Sequence, residues 1–280
     1  MSIVSALLRR RPRAETIDVR ISDAATGRAQ FRMLWVEDRD QTAQFVKKGG
    51  WTAFEPPAPQ VLFRLMRRRP GLMIDAGANT GFYGLLAAAA HRSNRVLAFE
   101  PDPKVFPILA GNVEVNGLAR RMRPSTAALS DREGTAQLYV PWDDHGVVET
   151  SSSLEAGFKP RHQDVLSVPV TTVDRAVADG SGPVLIKIDV EGHELAVLRG
   201  AEGVLAAHRP IVLVELLATT DWAGLNGLVA KHRYGGVSLS SEGRRLTPTL
   251  SFDPQSWNQV LCPIELWPVL DAVLASSQPT

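Results

Sequence analysis

Leu72-Met73-Ile74-Asp75-Ala76-Gly77-Ala78-Asn79-Thr80-Gly81-Phe82-Tyr83 is the stretch whose reading decides the fold. Leu72 to Ile74 is a short apolar run that suits a parallel strand covered on both faces. Asp75 ends the run and Gly77 opens a turn. Leu85, Leu86 and the alanines 87–90 that follow are good helix formers. A glycine at 77 has no Cβ and lets the backbone approach a ligand. Gly81, at the helix start, permits close packing of helix on strand, and helix starts favour anions.

Spacing narrows the ligand. The dinucleotide fingerprint G-x-G-x-x-G needs glycine where Asn79 stands, and the phosphate loop needs a lysine and a hydroxyl where Phe82 and Tyr83 stand. What remains, Asp-x-Gly-x-x-x-Gly, suits a ligand with an ammonium, a carboxylate and a ribose, although a tight turn of any α/β protein would also satisfy it. The second strand, Arg95 to Phe99, reduces that ambiguity. It ends in Glu100, 19 residues after Gly81, close to the ~20 expected of an acid that accepts the ribose hydroxyls. Asp75 would hold the ammonium and the helix start the carboxylate.

The remaining chain continues the alternation of strands and helices. The spacing predicts a helix over Pro103 to Val115, a strand near Met122 to Leu129 and another over Thr135 to Val140. Pro141 to Gln163 has no periodicity and is too long for a plain connector, so a lid is expected there. Val184 to Glu191 (V-L-I-K-I-D-V-E) reads as a buried strand with Lys187, Asp189 and Glu191 on one side. Charges in so apolar a strand must pair or work, and strand carboxyl ends are where open α/β sheets bind ligands. A helical pattern over Glu194 to Leu205, a strand Ile211 to Leu216 containing Glu215, and a helix Asp221 to Tyr234 closed by Gly235-Gly236 follow. Val237–Leu239 and Gln259–Cys262 are expected to pair antiparallel.

At 280 residues, with 44% hydrophobic and 22% charged residues, the composition is that of a soluble globular protein. A net charge of +1 gives no reason to expect nucleic acid. The lone Cys262 forms no internal disulfide, and no apolar run reaches the ~20 residues that span a bilayer. At the start, Ile3 to Leu8 precede Arg9, Arg10, Arg11 and Arg13, the reverse of a secretory signal, so a cytoplasmic location without stable membrane insertion is the default expectation. Residues 1–54 read as an accessory segment with a hairpin around Ala25-Thr26-Gly27, and residues 55–280 as the main domain.

I-D-A-G-A-N-T-G-F-Y at 74–83, F-E-P-D at 99–102, I-K-I-D-V-E-G-H-E at 186–194, L-R-G-A at 198–201 and P-I-V-L-V-E at 210–215 resemble the FkbM family of S-adenosylmethionine-dependent methyltransferases. The resemblance covers about 55 to 263. It implies an α/β, Rossmann-like class I sheet of seven strands, order 3-2-1-4-5-7-6, with helices on both faces. It also implies S-adenosylmethionine as cofactor and hydroxyl acceptors on sugars, glycans, polyketides or other metabolites. By position it gives the methionine part of the cofactor to Asp75, Gly77, Asn79 and Gly81, with Phe82 beside them, and the ribose to Glu100. Leu129, within Ala128 to Ser130, would flank the adenine.

A hydroxyl acceptor needs its proton removed by a positioned base. Asp189 heads the candidates, followed by His193, Glu191 and Lys187. A metal on Asp189, Glu191 and His193 would need further ligands from elsewhere, and none is assigned. Two readings from other classes stay open: a nicotinamide-dependent oxidoreductase, disfavoured by Asn79 and by the lack of a Tyr-x-x-x-Lys pair, and a non-catalytic binding module of the same fold.

Overall fold

A computed structural model describes residues 14–36, 40–142, 151–177, 182–240 and 245–276. The basic start and the Asp143 to Thr150 part of the expected lid lie outside the described residues. A hairpin of β1 (Ala14–Asp23) and β2 (Gly27–Val36) opens the chain, followed by α1 (Gln41–Gly49) and α2 (Ala58–Arg68). Then come β3 (Leu72–Ala76), α3 (Phe82–Ala90), β4 (Arg95–Phe99), α4 (Phe106–Val115) and β5 (Met122–Ser125). β6 (Ala128–Leu129), β7 (Gly134–Pro141), β8 (His162–Thr171) and α5 (Val173–Ala176) lead to β9 (Pro183–Ile188), α6 (Glu194–Arg199) and α7 (Glu202–Ala207). β10 (Ile211–Glu215), α8 (Trp222–Lys231), β11 (Tyr234–Ser238), β12 (Asn258–Pro263) and α9 (Trp267–Ala275) complete the described elements.

Seven strands form the main sheet in the order β11-β12-β10-β9-β3-β4-β5. Numbered within the sheet from the other edge, this is 3-2-1-4-5-7-6. The strand β12 runs antiparallel to both its neighbours, while β3, β4, β5, β9 and β10 run parallel. Side-chain alternation sorts these strands onto two cores. Met73, Leu185, Ile211 and Leu213 face α2, α3 and α9, whereas Ile74, Ile186, Val212 and Val214 face α6, α7 and α8. The same count carries Asp75, Lys187 and Glu215 onto the first face, at the carboxyl ends of their strands.

Three sequence expectations change. The strand expected over Met122 to Leu129 divides, because β6 leaves the main sheet and pairs with β8 in a small three-stranded sheet with β7. Gly235 and Gly236 do not end a helix; they are buried in β11, and the helix stops earlier, where Arg233 takes a left-handed φ of 55°. The strand expected to run to Glu191 ends at Ile188, and Glu191 adopts a φ of 57°.

The hairpin is a docked element. Asn112 of α4 and Asn116, which caps that helix, accept hydrogen bonds from the Leu34 and Arg32 amides, and Asn116 returns one to the Arg32 carbonyl, so side chains complete the edge of β2. At the turn, Asp23 accepts from Thr26 and pairs with Arg64 at 2.7 Å, both side chains buried.

Candidate functional site

The cavity of about 320 Å³ opens at the carboxyl ends of β3, β4, β9 and β10. Its first half is built by the loop after β3. The amides of Gly77 and Ala78 both bond to the Phe99 carbonyl, which ties the loop to β4. Asn79 takes a left-handed φ of 51°, and its side chain accepts from the Thr80 amide. That geometry turns the Asn79 amide onto Glu100 at 2.8 Å, while the Asp102 amide reaches the other Glu100 oxygen at 2.9 Å. Burial pushes the Glu100 carboxyl up to about 7, against the pull of these two amides. Leu129, Ala128 and Leu138 supply the apolar wall beside it.

Gly77, Asn79, Glu100 and Leu129 therefore line the cavity as the sequence suggests. Asp75, Gly81 and Phe82 do not. Asp75 is fully buried; neither oxygen has a well-formed hydrogen bond, and the Lys187 charge and then the Gly84 amide favour its carboxylate. Burial raises its carboxyl to about 6. Phe82 enters an aromatic cluster with Phe31 and Phe54, ring centroids 6.2 and 5.8 Å away, and belongs to the core. Gly81, at φ 95°, serves packing, since a Cβ there would stand 2.7 Å from Leu109. Gly77 is demanded by the protein before any ligand: a Cβ on it would lie 1.7 Å from the Asp189 carbonyl oxygen.

The second half gathers charge. Lys187 is buried and bonds Asp189 at 2.8 Å, with its ammonium 4.9 Å from the Tyr83 ring centroid. Burial alone would lower the Lys187 ammonium, but Asp189, Asp75 and Glu55 together raise it above its ordinary value. Glu55, at a left-handed φ of 48°, accepts from the Tyr83 hydroxyl at 2.8 Å. Carboxylate oxygens of Glu55, Asp189 and Glu215 lie within 4.8 Å of one another. Burial and then the neighbouring acids push Glu215 up to about 9 and Glu191 up to about 8. Positive φ at Glu55, Asn79 and Glu191, all on this cavity, is the kind of backbone strain that collects at functional sites.

His193 lines the cavity with both ring nitrogens engaged, Nε2 with Ser130 Oγ at 2.9 Å and Nδ1 with Glu155 at 2.6 Å. It does not converge with Asp189 and Glu191 as a shared ligand set. The described part of the expected lid is anchored here: Ser152 donates to Asp102, Ser153 to the Glu191 carbonyl, and Ser151, Leu154 and Lys159 line the cavity. Sequence reasoning missed Glu215 and Glu55 as cavity residues. Glu215 carried a usable signal, an acid closing a buried strand, the same signal that marks Glu100; Glu55 carried none. Gln41, Thr42 and Phe54 also line the cavity, so the segment read as accessory forms part of its wall. No described helix is long and apolar enough to cross a membrane.

The family model described as "Methyltransferase FkbM domain" matches residues 75–234. Methyltransferase sdnD of Sordaria araneosa is 27% identical over 155 residues, 46% of this chain and 60% of that protein. Hexuronic acid methyltransferase AglP of Haloferax volcanii is 26% identical over 174 residues, 61% of this chain and 64% of that protein. The chain thus spans less than two thirds of the length of these curated relatives. The crystal structure of Methyltransferase FkbM from Methylobacillus flagellatus KT aligns with a TM-score of 0.46 and 21% identity, covering 69% of this chain and 44% of that one. With more than half of its residues matched by the family model, the chain belongs to the FkbM family of methyltransferases.

Proposed function

We propose that the chain transfers a methyl group from S-adenosylmethionine to a hydroxyl of a sugar, glycan, polyketide or other small metabolite. The observation that supports this most is the meeting in one cavity of Glu100, held by two backbone amides, and the carboxylate group around Asp189. Glu100 would accept the ribose hydroxyls, the loop Gly77 to Asn79 would lie along the methionine part, and Leu129 would flank the adenine. When bound, S-adenosylmethionine supplies a methyl group carried on a positively charged sulfur.

The chain's own work is to align the acceptor and to remove its proton. Asp189, fixed by Lys187, stands at the cavity and would hold a neighbouring hydroxyl of the acceptor, which orients the reacting one. Glu191 and His193 flank it. The name of AglP puts sugars among the acceptors to test. The acidic wall of Glu55, Asp189, Glu191 and Glu215 favours an uncharged sugar over one bearing a carboxylate.

Calorimetry and methyl transfer from labelled S-adenosylmethionine to a panel of sugars and polyols test the reading. Wild-type protein is expected to bind the donor and to label at least one hydroxyl compound, and Glu100→Ala to bind it at least tenfold more weakly. Binding of NAD without binding of S-adenosylmethionine would overturn it in favour of an oxidoreductase.

A further inference from the structure

Glu215 differs from every other acid in the cavity. Alternation along β10 points it to the same face as Lys187 and Asp75, and it lines the cavity half-buried. The groups that face it are Asp189, Glu55 and Glu191, all acidic, with Lys187 as the opposing cation and the Tyr83 hydroxyl nearby. Lys187 is committed to Asp189 at 2.8 Å, and Glu55 to the Tyr83 hydroxyl. Glu191 faces a cation of its own, Lys159. Glu215 makes no side-chain hydrogen bond among the described residues. Unlike Asp189 and Glu55, the two acids nearest it, Glu215 has no committed partner among the described residues.

We propose that Glu215 takes the acceptor's proton, and that the positive charge of the methyl donor, present before transfer and absent after it, decides when it can. The proposal rests on the methyl-transfer reading above. In the step, the acceptor O–H bond breaks and its proton goes to a Glu215 carboxylate oxygen. The O–CH₃ bond forms, the methyl–sulfur bond breaks, and the electron pair of that bond stays on sulfur as a neutral thioether. Glu215, left protonated, returns the proton to solvent.

The charge arithmetic of the cavity gives the step its direction. Without a bound cation, burial first and the crowding acids second push the Glu215 carboxyl up to about 9. An added positive charge within a few ångströms weakens a carboxyl's hold on its proton by about ten- to a thousandfold. Glu215 is therefore an available base while the donor is charged. Loss of that charge on transfer restores its grip and holds the proton it has just accepted.

Proton counting by calorimetry tests this without an acceptor. Wild-type, Glu215→Gln and Glu215→Asp proteins are titrated at pH 8 with S-adenosylmethionine and with S-adenosylhomocysteine, each in two buffers of different ionisation heat. The two compounds share ribose, ammonium and carboxylate, so any proton change at Glu100 cancels in their difference. Wild-type and Glu215→Asp proteins are expected to release about half a proton or more per site with the charged compound beyond that with the neutral one. In Glu215→Gln the difference is expected to vanish while binding persists. Its melting temperature at pH 8 is expected to rise, because one of several crowded acids is gone. A difference that survives in Glu215→Gln, or is absent from wild type, overturns the proposal. So does micromolar binding of magnesium that Glu215→Gln abolishes, since those oxygens would then belong to a cation. If wild type binds neither compound, the methyl-transfer reading itself fails, which is a separate result.

Discussion

Glu100 and Glu215 both close a buried strand of the main sheet, and both hold their protons more tightly than ordinary carboxylates. Their surroundings differ in kind. Glu100 receives two backbone amides from its own neighbourhood, Asn79 and Asp102, and its upward shift is chiefly burial. Glu215 is also raised by burial first, but it receives no such amide, and three acids crowd it. One half of the cavity is prepared by local loop geometry to accept hydrogen bonds from an uncharged diol. The other is left electrically unbalanced, which lowers stability and confers reactivity. On the proposed reading, a binding site and a reactive site thus use the same residue type at the same strand position, and the donors and acids around it separate them.

The comparison breaks hardest at Gly77, where the halves touch. Gly77→Ala would set a methyl group 1.7 Å from the Asp189 carbonyl oxygen at a φ of 71°. Loss of cooperative unfolding, or destabilisation beyond about 4–5 kcal/mol, is expected from circular dichroism melts. A stable Gly77→Ala protein would mean that the junction of β3 and β9 is looser than described. This position is therefore unsuitable for testing cofactor contact alone.

Asp189→Asn sharpens the second half. It removes the ion partner of buried Lys187 while leaving the shape. The stability loss should fall below the about 3–5 kcal/mol of a fully orphaned buried charge, because Asp75 and Glu55 also face Lys187. Urea melts at pH 7 measure it. A loss of the full size would show that the other two acids do not compensate.

The smallest effect is a pH profile in the first half. On the proposed reading, Glu100 would accept ribose hydroxyls best when ionised, and burial pushes its carboxyl up to about 7. Donor affinity measured by calorimetry is expected to fall up to about tenfold between pH 8 and pH 6. The stability term has the opposite sense: a raised carboxyl contributes stability that is full below its ordinary value of 4.5 and is lost as pH rises through about 7. Glu100→Gln should flatten both trends. A profile that stays steep in this variant would assign it to another group.

Much of the first half was legible because its determinants are local. The glycine-bearing turn, the apolar strands and the interval to Glu100 lie within thirty residues of chain, and each follows from backbone rules. Two parts of the loop misled for physical reasons. Phe82 reads as a loop residue facing a ligand, yet Phe31 from the hairpin and Phe54 draw it into the core. Gly77 reads as glycine for a cofactor's sake alone, yet it lines the cavity and is also required by the Asp189 carbonyl, which a Cβ would strike. The second half was legible only at Asp189 and its neighbours, where charges stand out against an apolar strand. Glu55 lies in a proline-rich connector and Glu215 at the end of another strand, and only the closed sheet brings them within 4.8 Å.

The wall formed by Gln41, Thr42, Phe54 and Glu55 lies upstream of the stretch that the family model matches, residues 75–234. On the proposed reading, part of the acceptor's wall is thereby written upstream of the donor loop. A lineage can rewrite the upstream length to court a new acceptor while the loop at Gly77 to Asn79 and the acid at Glu100 stand unaltered. The same separation gives an engineer a place to graft, with the seam falling in the helix α2 that precedes β3.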